Sequence, residues 1–211
     1  MKKASQGNLV FTELRRQILI MHLQSGSRLK EDFWAKKLGV SRMAVREALT
    51  RLLGEGLVYL GPKGGYYVME LTPEDVLQLR QVREIIEIAA LELAMNRING
   101  SDIKKLEKIC DDFSIMVEKG YISGACEADI KFHETLVELS GNKKLLLAYH
   151  SCHIPLFHQK IGKTKAFTND YDITDKEHRA LLKFIKQKDL NNAKQTLIKH
   201  FSRGEKAILE L

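Results

Sequence analysis

Asp129 and His133 stand four residues apart in a stretch of helical periodicity, so both project from one helix face. His178 and His200 flank a break near Lys188-Asp189, about ten residues before it and about twelve after it. At about 1.5 Å rise per residue, antiparallel helices joined at that break carry both imidazoles at nearly the same height. One carboxylate and three imidazoles converging inside a bundle form a ligand set for a borderline divalent ion such as Zn²⁺, Ni²⁺, Mn²⁺ or Fe²⁺. The same residues also fit a surface Asp–His ion pair with two scattered histidines, and spacing alone leaves both readings open.

A second constellation suits nucleic acid. Ser41-Arg42-Met43-Ala44-Val45-Arg46 opens a predicted helix whose apolar stripe is Val45, Ala48, Leu49, Leu52 and Leu53. Arg42 and Arg46 lie off that stripe, one turn apart at the leading end. Such a helix can enter the DNA major groove, where Arg makes paired hydrogen bonds to guanine O6 and N7. The plainer alternative is a surface helix with two solvated arginines, and the flanking segments argue against it.

Those flanks supply the rest of a winged helix-turn-helix. Leu14, Ile18, Leu19 and Met21 mark a first helix, broken by Ser25-Gly26-Ser27. Leu29 to Leu38 reads as a second helix with Phe33, Trp34 and Leu38 apolar, and Gly39-Val40-Ser41 as the turn. Leu57–Leu60 and Tyr66–Met69 read as strands joined by Gly61-Pro62-Lys63-Gly64-Gly65. In that wing Gly64 and Gly65 let the backbone approach a phosphate closely, and Lys63 adds charge. The expected DNA contacts are therefore Ser41, Arg42, Met43, Arg46, Lys63, Gly64 and Gly65. Charge agrees: residues 1–70 carry 12 basic and 6 acidic side chains, whereas the remainder carries 22 and 21.

The domain boundary is expected at 71/72. Thr72 is a suitable N-cap, Pro73 suits the first helical position, and Glu74-Asp75 complements the helix dipole. Residues 72–211 read as six helices in an antiparallel bundle. A helix from Pro73 ends near Asn99-Gly100; a second, capped by Ser101, stops at Gly120; a third spans about Ser123 to Ser140. A fourth from Lys143 is interrupted by Pro155, 162–171 is a polar loop, and a helical hairpin closes the chain. The overall class is mainly α. Three cysteines without a CxxC pair suit free thiols in a reducing cytoplasm, and neither a secretory signal nor a membrane-length apolar run is apparent.

The first seventy residues resemble the N-terminal domain of GntR-family bacterial transcription regulators. The resemblance rests on Gly26-Ser27-Arg28-Leu29-Lys30-Glu31, Leu38-Gly39-Val40-Ser41-Arg42, Val45-Arg46-Glu47-Ala48-Leu49, Glu55-Gly56-Leu57-Val58 and Gly65-Tyr66-Tyr67-Val68. This chain departs from the pattern at Asp32-Phe33, where the family often has a basic or polar DNA contact, and at Met43-Ala44 in place of Thr-Pro. The later pattern Leu79-x3-Arg83-x3-Glu87, Asp129-x2-Phe132-His133, Ser140-Gly141-Asn142, Glu177-His178 and Lys199-His200 resembles the FCD effector domain of the FadR subfamily. The resemblance implies that Asp129, His133, His178 and His200 hold a divalent transition metal and that the effector is a small carboxylate. Arg83 could bind that carboxylate or pair with Glu87, and His150 and His153 could line the effector cavity or fill polar niches.

The implied protein is a cytoplasmic homodimeric regulator, a repressor, reading an inverted-repeat operator on double-stranded DNA. The rival is a metal-dependent hydrolase or lyase with a vestigial DNA module, which needs a general base beyond the four ligands. An RNA-binding scaffold would need an aromatic platform that this chain lacks.

Overall fold

Apolar side chains at helical spacing organise the first unit of the computed structural model, which describes residues 5–19, 22–62, 64–152 and 167–209. The chain divides into two units, Met1–Leu71 and Thr72–Leu211. The first contains α1 (Gln6–Leu19), β1 (Arg28–Leu29), α2 (Glu31–Leu38), α3 (Arg42–Gly54), β2 (Val58–Leu60) and β3 (Tyr66–Val68). Val10, Leu14 and Ile18 of α1 and Val45, Ala48, Leu49 and Leu52 of α3 form its buried centre, and α1 packs on α3. Gly39, in the left-handed region at φ 64°, ends α2, and the Ser41 hydroxyl caps α3 by accepting from the Ala44 amide at 3.1 Å.

The sheet runs β1-β3-β2 with antiparallel neighbours, and Tyr59 faces Tyr67 with rings 5.6 Å apart. β1 corrects the expected helix start at Leu29. Arg28 and Leu29 pair with Tyr67 and Tyr66, and extended Lys30 delays α2 to Glu31. Phe33 also departs from expectation: it is 56% exposed, while Trp34 and Ala35 turn inward. Met21 and Lys63 lie outside the described residues.

Helices of the second unit are α4 (Pro73–Met95), α5 (Gly100–Glu118), α6 (Ile122–Leu139), α7 (Lys143–Ser151), α8 (Phe167–Lys186) and α9 (Leu190–Leu209). Leu91, Leu106, Phe132, Leu136, Leu181, Leu197 and Phe201 form its main core, drawn from α4, α5, α6, α8 and α9. α4 opens with a reciprocal cap: the Asp75 amide donates to the Thr72 hydroxyl at 3.1 Å, and the Thr72 amide to the Asp75 carboxylate at 2.8 Å. Thr72→Ala should therefore cost the helical unit about 1 kcal/mol in chemical denaturation, and an unchanged midpoint would refute the cap.

Two boundaries differ from expectation. Asn99, not Ser101, caps α5, accepting from the amides of Ser101 and Asp102. α8 already includes Phe167 to Tyr171, part of the expected loop. Tyr171, Thr174, His178 and Leu181 are buried at three- and four-residue spacing, so a helical stripe begins inside a stretch that its polarity marks as loop. Pro155 and its interruption lie outside the described residues.

Candidate metal centre and nucleic-acid interface

Asp129 and His133 enter the bundle interior from α6, His178 from α8 and His200 from α9. All four are buried, and one ligand atom from each lies within 4.8 Å of every other. The α8–α9 turn, with Lys188 at φ 58°, aligns His178 with His200. His133 Nε2 is 3.1 Å from His200 Nε2 and 3.3 Å from His178 Nε2. Asp129 Oδ1 is 3.1 Å from His178 Nε2 and 3.6 Å from His133 Nε2. Two nitrogens held about 2.0–2.1 Å from a shared tetrahedral ion stand about 3.3 Å apart, so these separations fit one cation.

Outer carboxylates set the imidazole tautomers. His133 Nδ1 lies 2.6 Å from Glu87 Oε2, and His200 Nδ1 lies 2.8 Å from Glu177 Oε2. Burial alone would raise both acids. Neighbouring His133 and Arg83 hold Glu87 at about 2, and hydrogen bonds from His200 and Arg203 hold Glu177 at about 2. An ionised carboxylate only accepts, so each facing Nδ1 carries the proton and each Nε2 turns a lone pair toward the centre. Burial depresses His178 and takes His200 down to about 3, favouring the neutral, ligating form. Burial and Arg83 also oppose a charge on His133, but Glu87 and Asp129 outweigh them and raise it. A protonated His133 could donate to His200 alone across this 3.1 Å contact, whereas with both rings neutral a single cation can sit between the facing Nε2 lone pairs. The donor set fits a metal ion.

Glu87 and Glu177 both fall within the FCD-like pattern, but the sequence reading gives neither a place behind the ligands: Glu87 enters it only as a partner of Arg83, and Glu177 only as the neighbour of His178. Arg83 is buried, its Nε donates to Glu87 at 2.7 Å, and its guanidinium lies 4.6 Å from the Phe201 ring centre. The His150 side chain is 46% exposed and approaches Glu134 at 3.6 Å, while Tyr149 takes the inward position, since one residue of helix turns the chain about 100°. His153 lies outside the described residues. Burial raises the Cys152 thiol, away from the thiolate a soft ion would need.

In the first unit, Arg42, Met43 and Arg46 are exposed on the leading turns of α3. Arg46 makes a two-pronged contact with Glu31 at 3.0 and 2.9 Å, and Arg42 pairs with Asp32 at 2.8 Å. Asp32 is thus the counter-ion of Arg42. Gly64 and Gly65 sit at φ 75° and 89° in the wing, a backbone that side chains rarely adopt.

Comparison with known proteins gives two family matches. The description "Bacterial regulatory proteins, gntR family" matches residues 7–68, and "FCD domain" matches residues 78–203. An uncharacterised HTH-type transcriptional regulator, YdhC of Bacillus subtilis (strain 168), is 29% identical over 206 residues, spanning 91% of this chain and 86% of that protein. The gluconate operon transcriptional repressor of Bacillus licheniformis is 27% identical over 207 residues, 95% and 84% of the two chains. The solved structure of E. coli McbR/YncC superposes with a TM-score of 0.86 at 20% identity over 99% of each chain, a likeness of fold.

Proposed function

The chain belongs to the gntR family of bacterial regulatory proteins and carries an FCD effector domain, and from this we propose that it is a metal-dependent, acid-responsive repressor. Its membership of a family of transcription regulators sets aside the hydrolase or lyase alternative. Repression is supported by the named gluconate operon repressor among its relatives. The protein acts as a cytoplasmic homodimer, since two copies of α3 and of the wing match a two-fold inverted repeat. Ser41, Arg42, Met43, Arg46, Gly64 and Gly65 face the DNA, and Lys63 joins them from the wing tip.

Asp129, His133, His178 and His200 hold one divalent ion. The observation that carries this reading is the pair of carboxylate–histidine contacts, Glu87–His133 and Glu177–His200, which leave the Nε2 lone pairs converging. A proton could satisfy one such pair, whereas a metal satisfies all four ligands. Bound there, the ion supplies a Lewis-acidic position that orients a carboxylate. Glu87 balances the buried charge of Arg83, and Glu177 ties His200 to Arg203 at 2.7 Å. Acid binding shifts the balance between domain arrangements that bind the operator well or poorly.

Small organic acids, D-gluconate among them, should raise the melting temperature of the metal-loaded protein and should do so far less after chelation. The same acid should change operator affinity by about 1–3 kcal/mol, and DNA should change acid affinity by the same factor. Stabilisation that survives complete metal removal would refute the docking role.

A further inference from the structure

Among the described residues of the helical unit, Thr135 and Tyr149 carry buried hydroxyls without a hydrogen-bond partner. Thr135 follows His133 by two residues and so lies on the opposite side of α6 from the ligands. Tyr149 is different. It is 2% exposed on α7 and packs on Ile86 and Ala90 of α4 and Val137 of α6. Ile86 adjoins Glu87, the carboxylate that holds His133, and Val137 stands one turn after His133. The charged groups whose fields reach the phenol are Glu87, Arg83, Asp129 and Glu134. Burial and Glu87 keep it protonated, so it is a permanent donor.

Phenylalanine would fill the same space without this burden, because an unpartnered buried hydroxyl loses its hydration and gains nothing in return. The oxygen therefore needs a partner that arrives from outside the chain. A metal-bound carboxylate keeps some accepting lone pairs beside the ion, whereas a hydroxy or oxo acid carries a further acceptor that can reach away from it. We propose that Tyr149 is the second recognition point of the effector, donating to an oxygen that the acid carries beyond its metal-facing carboxylate. The effectors are then hydroxy or oxo acids, not plain alkanoates. This inference rests on the metal-and-acid reading above and narrows its ligand class.

The test uses the full metal-loaded chain and three matched pairs: L-lactate and propionate, glycolate and acetate, D-gluconate and hexanoate. Thermal stabilisation should be greater for the hydroxy acid in at least one pair. Tyr149→Phe should abolish that preference and weaken the preferred acid about tenfold, the effect of one lost hydrogen bond. The acid-free variant should melt no lower than the parent, which a merely structural role for the hydroxyl would not allow. Elemental analysis of the variant checks that it has folded around its ion. An undiminished preference in Tyr149→Phe, or stronger stabilisation by the alkanoates, would overturn the assignment of Tyr149 alone. Failure of all six acids to stabilise the parent protein, or stabilisation indifferent to chelator, would overturn the metal-and-acid reading and this inference with it.

Discussion

Protein purified without added metal should contain close to one transition-metal ion per chain, and His178→Ala or His200→Ala should lose most of it. The ion would tie α6, α8 and α9 together, so its removal should lower the melting temperature of the helical unit. At a free-metal concentration a thousand times the dissociation constant the stabilisation is about 4 kcal/mol, which corresponds to roughly 10 °C for a chain of this size. A small zinc finger unfolds outright without its metal. Here Leu106, Phe132, Leu181 and Phe201 supply an independent core, so the apo protein should remain helical by circular dichroism. Full occupancy in both variants would place the ion elsewhere.

The legible parts of this centre were those fixed by local period. Asp129 and His133 share a face because they are four residues apart, and His178 and His200 align because the break between their helices is short. The carboxylates behind them were harder to read. Glu177 meets His200 only through the packing of α8 against α9, and the inward turn of Tyr149 depends on how α7 is rotated against α4 and α6. A one-residue difference in rotation separates Tyr149 from His150, and helix periodicity over nine residues is too coarse to fix it. The winged unit was more readable, since Ser41, Gly39 and the α3 stripe each act locally. Its exception, β1, has two residues and therefore no alternation to detect.

Arg46→Ala should weaken specific operator binding by about 1–3 kcal/mol if its guanidinium reads a base edge, as paired Arg–guanine contacts do. Arg42→Ala/Arg46→Ala should lower it further while leaving the protein folded, because both side chains are more than half exposed. Their ion pairs with Asp32 and Glu31 lie at the surface, where water screens such pairs and they add little to the fold. A gel shift at fixed salt gives the affinity, and thermal melting checks the fold. Unchanged affinity would remove α3 from the interface.

If Arg42 and Arg46 meet DNA as proposed, Glu31 and Asp32 should also set how binding responds to ionic strength. A guanidinium that reaches DNA already neutralised by a carboxylate frees fewer condensed cations from the duplex than a bare one. The dependence of affinity on salt, a slope of about 0.9 per phosphate neutralised, is then shallower than the basic residues of the first unit suggest. Random sequence offers such an arginine only phosphates, which compete with a carboxylate already in place. A guanine edge offers two matched acceptors. On the proposed reading, the acids at the start of α2 should cost affinity for bulk DNA more than for the operator, shortening residence on the wrong sequence during search.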